Sequence, residues 1–143
     1  MAINTGKVIV GGIVGGIVAN VIDFVSQTYI LGGMMTASMT KLNPALATKP
    51  TGGQIAGLVV IDFVWMIATV WIYAAIRPRF GPGPKTAVYA AIVSWIIGTV
   101  VASYFYIAGF FGTDIFAASG IESLINAIIA TMVGARFYTE EAA

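Results

Sequence analysis

The sequence predicts an all-α integral membrane protein that folds as a bundle of four transmembrane helices. Hydrophobic residues make up 59% of the 143 residues and charged residues only 9%, whereas about a quarter of the residues of soluble domains are charged. Four separate apolar segments each approach the roughly 20 residues that a helix needs to cross about 30 Å of hydrocarbon. Barrel strands are not predicted, because no segment alternates apolar and polar residues.

The four predicted helices run from about Val8 to Leu31, Gln54 to Ile76, Thr86 to Phe110 and Ile115 to Tyr138. The first apolar run is too long for a signal peptide and lacks a clear small-x-small cleavage site, so we expect it to be a retained helix. Residues 32–53, rich in Gly, Pro and Thr, are expected to form an irregular outer loop. Residues 77–85 are expected to form the inner loop. The whole chain, 1–143, is therefore predicted to be a single transmembrane domain.

The distribution of basic residues predicts the orientation. One side of the predicted membrane carries five of them, Lys7, Arg77, Arg79, Lys85 and Arg136. The other side carries only Lys41 and Lys49. By the positive-inside rule, both termini and the inner loop are expected to be cytoplasmic.

The inner loop is the most distinctive local sequence, with Arg77-Pro78-Arg79-Phe80-Gly81-Pro82-Gly83-Pro84-Lys85. Pro78 disfavours the helical conformation at the residue before it, so we expect the second helix to end there. Two interpretations of the cations Arg77, Arg79 and Lys85 stay open. They could bind an anionic lipid head group or a cytoplasmic partner, or they could serve only as a topology signal.

A resemblance follows from these residues. The stretch Trp71-Ile72-Tyr73-Ala74-Ala75-Ile76, the Arg-Pro-Arg-Phe-Gly-Pro-Gly-Pro-Lys-Thr-Ala sequence after it and the Gly-rich first helix resemble those of small bacterial four-helix membrane proteins that carry no assigned activity. The resemblance covers most of the chain, and the loop is its one specific motif. It implies a bacterial membrane protein with four helices, and it implies no catalytic residue.

Small residues recur on three of the four predicted helices, spaced by three or four positions so that they share a helix face. The most prominent are Gly12 and Gly16 in the first helix, Gly98 in the third and Gly134 in the fourth. Such patterns let two helix backbones approach closely, because packing drives association within a bilayer. We therefore expect a compact bundle with little room for a large cavity, in a homo-oligomer or a larger membrane complex.

Two acids lie inside the apolar spans. The pentapeptide Val-Ile-Asp-Phe-Val occurs twice and centres on Asp23 and Asp62. A charge at the centre of a membrane helix costs about 2.5–3.5 kcal/mol even on insertion scales. Counting eight residues from Leu31 and from Gln54 puts both carboxyl groups about 12 Å below the outer boundary, at the same level of an antiparallel pair. No cation is predicted at that depth, so at least one acid is expected to hold a proton.

Three further polar residues complete the candidate proton or cation site. Asn20 shares a helix face with Asp23. Glu122 has two interpretations: it could join the layer of acids, with Asn126 one turn deeper, or it could form a capping box with Ser119 at the start of the fourth helix. We favour the cap.

The absence of Cys and His removes thiol nucleophiles, histidine acid–base chemistry and the usual ligands of zinc and haem. We therefore predict no catalytic residue, no metal and no cofactor, and the net charge of +1 predicts no nucleic-acid partner. The predicted function is non-enzymatic: a structural or accessory subunit of an assembly in the bacterial cytoplasmic membrane, in which the acids fix helix register. The alternative is a small proton- or cation-coupled carrier or channel that uses the paired acids.

Overall fold

A computed structural model describes residues 2–42, 44–46 and 50–140, and these residues contain helices and no β-strand. Helix α1 spans Thr5–Ser26 and continues through a π-helical segment, Gln27–Leu31, into α2, Gly32–Leu42. A 3-10 turn, Pro44–Leu46, precedes α3, Gly52–Phe80. Helices α4 and α5 span Pro84–Ile107 and Thr113–Ala135.

Four stretches of helix are long and apolar enough to cross a membrane. They are Thr5–Leu42, Gly52–Phe80, Pro84–Ile107 and Thr113–Ala135. Large apolar side chains such as Phe24, Val100 and Ile107 are exposed on the outside of the bundle, where a lipid-facing surface would carry them. For the described residues this confirms the all-α class and the four helices that are long and apolar enough to span a membrane.

The first helix is longer than predicted. It does not end at Leu31 but runs on to Leu42, so the expectation of an irregular loop is wrong for residues 32–42. The backbone N–H of Gly32 donates to the Gln27 carbonyl, five residues earlier, which keeps the chain helical through this point. The 38-residue stretch is about 57 Å long, nearly twice the hydrocarbon thickness. The depth count from Leu31 therefore does not hold, and Lys49 lies outside the described residues.

Pro78 does not end the second predicted helix. Helix α3 passes through it to Phe80, because a proline near a helix end removes only one backbone donor. The helix stops instead at Gly81, whose φ of 82° suits a glycine and whose N–H donates to the Arg77 carbonyl at 2.8 Å. The connection between α3 and α4 is thus only residues 81–83.

Helix α1 packs against α3 and α5, and α4 contacts the same two helices from the opposite side. Helices α1 and α5 approach each other closely at a pair of glycines. A Cβ atom added to Gly11 would lie 2.7 Å from the Gly134 carbonyl oxygen, and one added to Gly134 would lie 2.5 Å from the Gly11 carbonyl oxygen. The two backbones are therefore in direct contact, and neither position has room for a side chain.

The other predicted packing glycines also lie at helix contacts. Gly12 and Gly16 of α1 face α3, where Ile67 and Phe63 fill the space that a Cβ would need. Gly98 of α4 lies against Trp65 of α3, with 3.2 Å between an added Cβ and the indole ring. Each glycine thus allows a larger residue on the neighbouring helix to approach.

The described ends of the chain meet at one end of the bundle. The Tyr138 hydroxyl accepts a hydrogen bond from the Asn4 backbone N–H at 3.4 Å, and the Arg77 guanidinium pairs with Glu140 at 3.2 Å. The α3–α4 connection lies at the same end, because the Tyr73 hydroxyl accepts from the Gly83 N–H at 3.2 Å and the Tyr73 ring contacts Tyr138 edge-on. We call this end, which carries most of the Lys and Arg residues, the basic end.

Candidate functional site

The two Val-Ile-Asp-Phe-Val segments meet in the bundle. The carboxyl group of Asp62 on α3 lies within hydrogen-bonding reach of that of Asp23 on α1. Asn20 marks the same contact, since its side-chain amide donates to the Gly16 carbonyl at 2.9 Å and to the Val59 carbonyl of α3 at 3.4 Å. The two acids therefore lie at one level of an antiparallel pair, although the count from Leu31 is not the reason.

Glu122 belongs to the same cluster, and the capping interpretation is wrong. Helix α5 begins at Thr113, with Asp114 in its first turn, so Glu122 lies well inside the helix. Its carboxyl group lies beside the Asp23 carboxyl and near the Ser26 hydroxyl. The Thr113-Asp114 pair was the sequence signal for the earlier start, because an acid is favourable in the first turn of a helix.

Asn126 fixes the position of Asp23. Its side-chain nitrogen donates to Asp23 Oδ1 at 2.6 Å and to the Ala19 carbonyl at 3.3 Å. The residue is only 7% exposed, and its Oδ1 atom has no hydrogen-bond partner. Ser26 is 4% exposed, and its buried hydroxyl also has no hydrogen-bond partner. One carboxyl oxygen of Glu122 is likewise buried without a hydrogen-bond partner. The acid cluster, Asp23, Asp62 and Glu122, is thus edged by buried polar atoms that are free to accept or donate.

No basic side chain within the described ranges pairs with the acid cluster. The ion pair that the structure shows, between Arg77 and Glu140, lies at the basic end. Two carboxyl groups can hydrogen-bond to each other only if one keeps its proton, and two carboxylates side by side repel strongly away from water. The contact between these acids is therefore compatible with a shared proton or a small cation.

A proton fits this geometry better than a multivalent metal ion does. Across residues 2–42, 44–46 and 50–140, no three Asp, Glu, His or Cys side chains are arranged to hold a metal ion. A hard cation such as Ca²⁺ or Mg²⁺ needs six or more converging oxygen atoms, whereas a shared proton needs only two oxygens within hydrogen-bonding distance. The acid cluster offers such pairs.

A cavity of about 370 Å³ adjoins the acid cluster. Glu122 lies on its wall, and aromatic rings of Trp65, Trp95, Phe111 and Phe116 form much of the rest. This corrects the expectation that Gly and Ala packing leaves little room for a large cavity. The small residues of α1 close the bundle toward the basic end, whereas bulky rings hold the helices apart on the other side of the acid cluster.

The π-helical segment lies beside this cavity. Gln27, its first residue, lines the cavity together with Leu31, its last. A π turn places one extra residue in a helical turn, which rotates every later side chain around the helix axis, and such turns are frequent at functional sites. Sequence reasoning did not find Ser26 as a site residue, because no residue pattern marks a π turn.

The three cations of the inner loop differ in their surroundings. Arg77 is paired with Glu140 and lies 5.5 Å from the centre of the Tyr138 ring. Lys85 is exposed and lies 5.9 Å from the centre of the Tyr89 ring. Arg79 is exposed. Of the three, Arg79 and Lys85 are therefore open to a lipid head group or a partner, whereas Arg77 is half-buried and ion-paired with Glu140.

Comparisons with known proteins add no further identity. No protein-family model matches the chain, and searches of curated proteins and of solved structures returned no match. The fold and the site define the class: an all-helical protein with four helices able to span a membrane and an acid cluster shared by α1, α3 and α5.

Proposed function

We propose that this chain is a multi-pass membrane protein that binds and releases protons at the acid cluster, as the coupling site of a small carrier or channel. The observation that carries the proposal is the convergence of Asp23, Asp62 and Glu122 from three helices without a basic partner in the described part of the chain. Asn126 and Asn20 support the cluster by orienting Asp23 and by joining α1 to α3.

The energetics favour this role over that of polar glue. An interhelical hydrogen bond in a membrane contributes about 0.6 kcal/mol on average, whereas an ionised acid at a helix centre costs about 2.5–3.5 kcal/mol. The free energy needed to ionise an acid in the membrane therefore exceeds what its hydrogen bond contributes to helix register. Ser or Asn would fix the register without a charge. Acids are the suitable choice when the site must take up and give back a proton.

For the setting, we propose the bacterial cytoplasmic membrane, with the basic end in the cytoplasm. The positive-inside rule and the resemblance of the inner loop support this assignment. The native sequence contains no Cys, so Arg79→Cys would carry the only thiol. In intact cells, a membrane-impermeant maleimide should leave it unlabelled while Gly53→Cys reacts. Labelling of Arg79→Cys and not of Gly53→Cys would reverse the orientation.

The acid cluster can be tested directly. Infrared spectra of the protein in lipid, recorded over a range of pH, report protonated carboxyl groups through their C=O stretch. Asp23→Asn, Asp62→Asn and Glu122→Gln should each remove or shift a titrating band and should lower proton flux into reconstituted vesicles. Asp114→Asn, at the exposed start of α5, is the matched control. Unchanged titration and flux in all three cluster variants would remove the proposal, and flux that follows Na⁺ instead of pH would replace the proton by a small cation.

The second candidate is the structural or accessory subunit of a homo-oligomer or larger membrane complex. Gly53 and Gly57 favour it, because they lie one turn apart on an exposed face of α3 with nothing within 4 Å, a spacing typical of helix pairs. The size of the particle after mild detergent extraction tests this function. A stable assembly that Gly57→Leu dissociates would support it, and a monomer that conducts protons would exclude it. Neither candidate involves catalysis or a cofactor.

A further inference from the structure

The cavity beside the acid cluster has the size and lining of a small-molecule site. Its volume of about 370 Å³ lies in the range of about 300–1,000 Å³ typical of such sites. Its walls come from the π-helical segment, α2, α3, α4, α5 and the connection between α4 and α5. Most of the lining is aromatic or aliphatic, so an occupant must present a largely apolar surface.

The aromatic walls are held in place. The Trp95 indole N–H donates to the Gly120 carbonyl at 2.9 Å, which fixes this ring between α4 and α5. Trp65 lies across Gly98, whose missing side chain leaves room for the indole. Phe116 stacks on Tyr106 with 4.7 Å between ring centres. Fixed aromatic faces attract a cation without a loss of side-chain freedom on binding.

The charge of the lining points to the same kind of occupant. Glu122 is the one ionisable residue among those that line the cavity in the described structure. One of its oxygens is buried without a hydrogen-bond partner. A neutral apolar molecule would leave this carboxyl group without a partner, and an anion would be repelled by its carboxylate form. A cation with apolar substituents satisfies both the rings and the carboxylate.

We propose that this cavity binds a lipophilic organic cation, with Glu122 as its counter-charge, in exchange for one proton. The proposal rests on the proposed proton-binding function, because the proton that leaves the Glu122 carboxyl group balances the charge that arrives with the ligand. In the empty site the proton is held on Glu122. When the ammonium group binds, the O–H bond breaks, the proton leaves and the carboxylate pairs with the cation.

Benzyltrimethylammonium is a suitable probe, because it combines one aromatic ring with a permanent positive charge. Its binding to the full chain in lipid nanodiscs is measured by calorimetry in two buffers of different ionisation enthalpy, which gives the number of protons released. Wild type and Asp114→Asn should release about one proton per cation. Glu122→Gln should bind at least tenfold more weakly and release none, because a neutral amide offers no counter-charge.

Two further measurements test the proposal on protein in which Glu122 is not substituted. In a Trp71→Phe background, Trp65 and Trp95 are the remaining indoles, so the probe should change the tryptophan fluorescence. Neopentylbenzene, the uncharged analogue of the probe, should not displace it from wild type. Equal binding to Glu122→Gln, binding without proton release or displacement by neopentylbenzene would each overturn the proposal. If Glu122 titrates in the infrared spectrum but the probe does not bind, the ligand assignment fails and the proton site stands.

Discussion

Asn126 of α5 donates a 2.6 Å hydrogen bond to the Asp23 carboxyl group of α1, and this bond joins two helices whose backbones also meet at Gly11 and Gly134. It is also the one directed donor that the described structure gives to an acid of the cluster. Its removal should therefore affect both helix packing and the acids.

Asn126→Ala should lower the free energy of unfolding by about 1–2 kcal/mol, because the interhelical hydrogen bond from Asn126 to Asp23 is lost. Unfolding in mixed micelles measures this loss. Asn20→Ala is the matched control, because the shorter bond of Asn20 is to the carbonyl of Gly16 in its own helix, and its loss should be smaller. Equal losses would mean that the Asn126–Asp23 bond contributes no more than a bond within one helix.

The Gly11–Gly134 contact predicts that alanine substitutions at Gly134 and at Gly57 have different effects on stability. Gly134→Ala should destabilise the fold by about 1–3 kcal/mol, the usual range for overpacking, because the new methyl group would overlap the Gly11 carbonyl. Gly57→Ala, where nothing lies within 4 Å, should be neutral or stabilise α3 by about 0.5–1 kcal/mol. Thermal unfolding in one detergent compares them, and a Gly134→Ala protein as stable as wild type would contradict the contact.

Pro78 offers a test of the end of α3. Because the helix already continues through it, Pro78→Ala should leave the fold intact and stabilise it slightly by restoring a backbone N–H donor to the helix. Gly81→Ala should destabilise by about 1 kcal/mol, because its φ of 82° is strained for a residue with a Cβ. Midpoints of thermal unfolding distinguish the two. A large loss in Pro78→Ala would show that this proline, and not Gly81, defines the end of the helix.

The basic end should respond to anionic lipid through Arg79 and Lys85. Arg79→Gln and Lys85→Gln should each weaken the stabilisation by anionic lipid by about 1 kcal/mol, and added salt should reduce the effect. Arg77→Gln should lower stability in neutral and anionic lipid alike, because its charge pairs with Glu140. Unfolding midpoints in nanodiscs with and without anionic lipid separate these effects. The assignment fails if Arg77→Gln alone removes the lipid dependence.

Local sequence patterns were sufficient for the class of fold and for the pairing of Asp23 with Asp62, although the depth count from Leu31 failed. Hydrophobic runs reveal spans because lipid requires them at every turn, and the repeated pentapeptide places Asp23 and Asp62 on adjoining helices. The patterns failed where a neighbouring helix or a backbone hydrogen bond determines where a helix begins or where a side chain lies. Glu122 read as a cap because Ser119 precedes it by three residues, although α5 starts at Thr113.

The cavity and the π turn were beyond local patterns for a related reason. Trp65 and Trp95 look like any apolar residue of a membrane helix until Gly98 and the Gly120 carbonyl fix where their rings lie. Nothing in the sequence from Gln27 to Leu31 separates a π turn from an α turn, because the two differ only in how far along the chain the backbone hydrogen bonds reach, as in the bond from Gly32 to Gln27. Both features depend on how several helices pack at once.

The contact between Gly11 and Gly134 has a mechanical consequence. Near the basic end it holds the backbones of α1 and α5 in direct contact. No side chain lies between them there, so no change of side-chain conformation can separate the two helices. The cavity lies on the other side of the acid cluster, where rings rather than backbones separate the helices. A change in cavity width must therefore be taken up by tilting about the glycine contact, and such a tilt moves Glu122 relative to Asp23 while the basic end stays fixed.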